Sequence, residues 1–139
     1  MRTVATVLVL AAAVGCTGAV DRGEVYVGPS RELWDDGRPD VRADGATAEI
    51  VDDGAAATLT FADCTVTLVR VGDQSDPRRR FELDGDTQTC AAGTVEQALV
   101  GDPVRREPPE PGAELSIEMW LTREDGAPSL IEFTGQRVD

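Results

Sequence analysis

The chain contains no histidine and no lysine, and all 13 of its basic residues are arginine. These absences exclude the common nucleophile partnerships, because Ser-His-Asp, Cys-His and Ser-Lys catalysis each need a side chain that is missing. Zinc is poorly served for the same reason. Without histidine, the three cysteines at 16, 64 and 90 have no CxxC spacing from which to complete a four-ligand site. Ser30, Ser75, Ser116 and Ser129 lack a Gly-x-Ser-x-Gly context, and no glycine-rich phosphate loop occurs. No cofactor is implied. Aromatic residues are also scarce, with three Phe, two Trp and one Tyr in 139 residues.

Positive charge is in short supply as well. Twenty-six acidic residues against 13 arginines give a formal charge of -13, which repels phosphate backbones and anionic headgroups. Neither nucleic acid nor electrostatic adhesion to a membrane is therefore expected. Carboxylates are the plentiful reactive group, and the enzyme reading they leave open is hydrolysis of envelope glycans through an Asp/Glu pair. No spacing marks out two of the 26, and solvated surface accounts for them. A non-catalytic protein is the expectation.

Long apolar runs are absent except at the start, where Arg2 precedes Val4 to Val14. That is the order of a secretory signal, and it is shorter than the roughly 20 apolar residues needed to span a bilayer. The run closes with Ala13, Val14, Gly15 and Cys16. This "AVGC" resembles the lipobox of bacterial lipoproteins. The resemblance implies cleavage before Cys16, lipid attachment at Cys16, and two or three acyl chains, enough for stable anchoring to a membrane. Residues 1–15 are then the signal peptide, 16–44 a flexible lipidated tether and 45–139 a single β domain. Thr17 in place of aspartate favours the outer membrane if the cell is Gram-negative. The alternative is an ordinary signal cut at Thr17-Gly18-Ala19, which releases the chain from its anchor. Removing 15 of 139 residues leaves 124, a single domain of ordinary size. Losing Arg2 takes the charge from -13 to -14.

Once Cys16 is acylated or removed, Cys64 and Cys90 remain, and in an exported chain they are expected to form a disulfide. From Ala46 onward the apolar residues recur at period two, the mark of half-buried strands. Leu115, Ile117, Met119 and Leu121 share one face, as do Ala57, Leu59 and Phe61, then Cys64, Val66 and Leu68, then Phe81 and Leu83, and lastly Ile131 and Phe133. The phase switches across Ala62-Asp63, which predicts a tight turn or a bulge. "TVEQALV" reads as a further strand. Asp-Gly at 36, 44, 53, 84 and 125 predicts hairpin turns. The fold class is all-β, an antiparallel meander forming a small sandwich or partly closed barrel with one disulfide. The order Cys, strand, turn, strand, Cys resembles that of small, uncharacterised β-rich bacterial lipoproteins, a likeness that implies no activity.

Three local features bear on function. Arg78-Arg79-Arg80 beside Asp76 and Pro77 reads as a solvated turn. Asp84, Asp86 and Gln88 alternate as calcium ligands do, but the sixth place lacks glycine and the twelfth is Val95, so a hairpin turn accounts for them. Trp120 alternates with Ser116, Glu118 and Thr122 and so falls on the polar face. Either the N-terminal segment covers it, through Leu33 or Trp34, or it is an exposed platform for an envelope protein or a glycan.

Overall fold

The computed structural model describes residues 23–72, 78–103 and 110–139. Cys16 and the apolar leader lie outside them. The described chain is all strand and turn: β1 Glu24–Trp34, β2 Val41–Asp52, β3 Ala56–Phe61, β4 Cys64–Arg70, β5 Arg80–Leu83, β6 Gln88–Cys90, β7 Gly93–Gly101, β8 Glu114–Thr122 and β9 Pro128–Arg137. Every pairing is antiparallel, and apart from β6 each strand lies beside the next in sequence. Strand β5 pairs with β7, and β9 returns to pair with β1. Eight strands therefore close into an up-and-down barrel, with β6 as a ninth strand hung on β7.

The period-two pattern fills the interior. Leu59, Leu68, Leu115, Ile117 and Met119 have no exposed surface, and Val66, Phe81 and Leu121 have almost none. Phe61 of β3 meets Phe133 of β9 with ring centroids 5.1 Å apart. An eight-stranded barrel has an interior just wide enough for side chains to fill.

Turn chemistry sets the register. Gly37, Gly54, Gly85 and Gly126, each following an aspartate, have positive φ and make the expected turns. Asp44-Gly45 does not. It lies within β2, where two residues oppose Pro29 alone, so the pair forms a bulge rather than a hairpin. Ala62 and Asp63 adopt φ of 53° and 61°, which makes that phase switch a two-residue turn between the paired Phe61 and Cys64.

The expected tether over 16–44 is corrected from Glu24 onward. Strand β1 lies wholly within it, and without β1 the sheet could not close on β9. Two features disguised this strand: Gly28-Pro29 at its centre, and the inward charges Glu24 and Glu32 at its ends, which meet Arg79 and Arg123 rather than water. Barrels abolish free edges, so the closing strand is a structural necessity.

Candidate functional site

Both ends of the barrel are stoppered by polar side chains. At the end where β1 begins and β9 finishes, the stopper is Arg79. Its Nη1 donates to Glu24 at 2.9 Å and to Asp52 at 3.1 Å, and its Nη2 donates to the Tyr26 hydroxyl at 3.2 Å. Asp102 closes the cluster, accepting from the Arg79 backbone N–H at 2.8 Å. Gly101 permits this approach, because a Cβ there would stand 2.2 Å from the Arg79 carbonyl oxygen. The Arg79 side chain is only 13% exposed. Burial alone would lower its pKa, but its bonds to Glu24, Tyr26 and Asp52 outweigh this and raise it. Burial, reinforced by the bond to Glu24, pushes the Tyr26 phenol up to about 12. The solvated turn expected for Arg78-Arg79-Arg80 is thus wrong at its centre. The missed signal was phase, since Arg79 shares the inward parity of Phe81 and Leu83.

The opposite end is closed differently. Arg123 grips Glu32 at 2.6 Å, and the Ser129 hydroxyl donates to the same carboxylate at 2.7 Å. Beside them, β5 is too short to cover the first half of β4. Strand β6 stands in the gap, tied by the Cys64–Cys90 disulfide. The Gln88 side chain completes the seam: its oxygen accepts from the Thr67 N–H at 2.9 Å, and its nitrogen donates to the Thr67 and Asp84 carbonyls. Gln88, a candidate calcium ligand by spacing, is thereby committed to the backbone of β4.

With the interior filled by side chains, the outer wall carries the open concave surface. Cross-strand pairing aligns Leu33 of β1 with Leu130 of β9, and Leu130 with Trp120 of β8. All three are half-buried. Leu33 therefore extends the apolar row beside Trp120 instead of covering it. Trp34, at the end of β1, is stacked under Arg38 at 4.1 Å, with Arg123 at 5.6 Å. Arg38 also bonds Asp36, holding that carboxyl below its ordinary pKa. A shallow groove of about 240 Å³, mostly apolar, runs along Leu33, Trp34, Trp120, Pro128 and Leu130. Both tryptophans of the chain line it.

The groove's rim carries charge of both signs, with Arg38 and Arg123 against Trp34. Asp35 lines one side. In the next row across the wall, Glu118 stands directly opposite Glu132, a destabilising pairing of like charges. Arg31 neutralises Glu132 at 2.8 Å, while Glu118 and Asp35 have no ionic partner among the described residues. No protein-family model matches the chain, and comparison with curated proteins finds no match.

Proposed function

We propose that this protein is a non-catalytic, lipid-anchored module of the bacterial cell envelope, held to the membrane through acyl chains on Cys16, that binds another envelope protein through the Trp34–Trp120 groove. The observation that carries the binding half is the placement of both tryptophans, with two leucines and a proline, in one groove on the outside of a barrel whose core is already complete. Half-exposed apolar side chains gathered in one groove outside the core support a contact site there, and tryptophan is the residue most enriched at the energetic centre of protein interfaces.

A polypeptide fits better than a glycan. The lining is aliphatic as well as aromatic, and Ser129, a hydroxyl that could reach a sugar, is already engaged by Glu32. The unpaired Asp35 and Glu118 favour a partner that presents an apolar side chain flanked by arginine or lysine. The anchoring half rests on the Ala13–Cys16 motif.

Two measurements test the two halves. Mass spectrometry of the mature chain should find a first residue Cys16 carrying acyl groups; a chain beginning unmodified at Val20 contradicts anchoring. Capture from an envelope extract should recover a discrete protein with the wild-type chain and lose it with Trp120→Ala. Equal recovery by both would remove the groove from the account.

A further inference from the structure

The barrel closes around β2 only in part. Strand β2 pairs with β1 from Val41 to Ile50, but its other neighbour, β3, pairs only with Glu49–Asp52. Ahead of that ladder, Ala46 packs against the core as Ala62 does, and Val41 to Gly45 are all exposed. Five residues of β2, the last two in the bulge opposite Pro29, thus present an open strand edge with no partner among the described residues, a short template for pairing with another strand.

The sequence of that edge, Val-Arg-Ala-Asp-Gly, chooses its occupant. Arg42 faces the like charge of Arg31 on β1 and has no ionic partner among the described residues, and the same holds for Asp44. Antiparallel pairing of two identical edges is restricted by these charges. A two-fold axis at Arg42 opposes arginine to arginine, and one at Asp44 opposes aspartate to aspartate. An axis at Ala43 instead sets Arg42 against Asp44 of the second copy, twice over, and leaves Val41 facing the bulged Gly45, which has no side chain to obstruct it. Val41 is 58% exposed, and the space where a Cβ on Gly45 would lie is open.

We propose that two copies of this chain associate through their β2 edges, antiparallel and centred on Ala43, with reciprocal Arg42–Asp44 pairs. A ladder this short, bounded by the Asp44-Gly45 bulge, is small beside a standard interface, so the association is weak in dilute solution and strengthens wherever copies are concentrated on one surface. The edge is separate from the Trp34–Trp120 groove, and either reading can fail without the other.

The test is site-directed disulfide trapping in the full-length chain expressed in a bacterial envelope, with the wild-type chain as the baseline for Cys16. Ala43→Cys should give a disulfide-linked homodimer on mild oxidation, because directly opposed residues bring their Cβ atoms to about 5 Å. Thr47→Cys, also exposed on the same strand, should give little. Adding Arg42→Asp to Ala43→Cys should cut the yield about tenfold as attractive pairs become repulsive, and adding Asp44→Arg as well should restore it. Trapping no better at Ala43 than at Thr47, a product joined to a different protein, or failure of the double charge swap to restore the dimer would each overturn the proposal.

Discussion

The barrel has two outer walls of opposite character. On β3 and β4 the outward positions are dominated by Thr58, Thr60, Thr65 and Thr67, all exposed and paired two by two across the strands, with the small pair Ala56 and Val69 at the end of the ladder. On β1, β9 and β8 the corresponding positions include Leu33, Leu130 and Trp120. Both walls meet the same backbone demands, and threonine satisfies those demands as a β-branched residue that fits a pleated, half-solvated surface. The threonine wall shows what this fold needs on its outside. The leucines and tryptophan exceed it, and the excess is what the binding account explains.

The comparison is sharpest when the shared frame is broken first. Replacing Arg79 by alanine leaves Glu24, Asp52 and Asp102 without their common cation in a poorly solvated place, and stability to urea should fall by about 3–5 kcal/mol. Both walls should melt together. A loss below about 1 kcal/mol would mean that the end of the barrel is held by packing alone.

Removing the disulfide distinguishes the walls. Cys64 and Cys90 lie 26 residues apart, and the chain-entropy model assigns such a loop about 3.5 kcal/mol. The double variant Cys64→Ala with Cys90→Ala should lose roughly that amount. Hydrogen exchange should quicken most in β4 and β6, beneath the threonines, and least in β8 and β9. Equal loosening of all strands would show that the seam has no local role.

The smallest effect expected concerns the frame again. Below pH 10 the Tyr26 phenol is protonated in folded and unfolded chains alike. Between pH 10 and about 12 the unfolded chain gives up that proton while the folded barrel keeps it, so stability should decline through that window. Tyr26→Phe should flatten this part of the decline, and an unchanged slope would mean that the hydroxyl titrates normally.

Much of the frame was legible in the chain. Strict alternation marked the inward faces of β3, β4, β5, β8 and β9, because one buried face in a barrel fixes every second residue. The disulfide followed from counting cysteines. Strand β1 escaped because its inward positions at the ends are Glu24 and Glu32, charges that meet Arg79 and Arg123 from distant strands, and pairing of that kind has no local signature. Asp44-Gly45 carries the same letters as a hairpin turn yet bulges, since only the register against Pro29 decides between the two. Trp120 could be assigned to the outer wall, but its alignment with Leu130 and Leu33 depends on the closure of β9 upon β1.

The central claim, that the tryptophan wall and not the threonine wall receives a partner, is tested most directly by placing a photo-reactive amino acid at position 120 in one chain and at position 67 in another, each irradiated in the intact envelope. The account predicts a discrete protein adduct from position 120 and none from position 67. Adducts of the same kind and yield from both positions, or none from position 120, would contradict it.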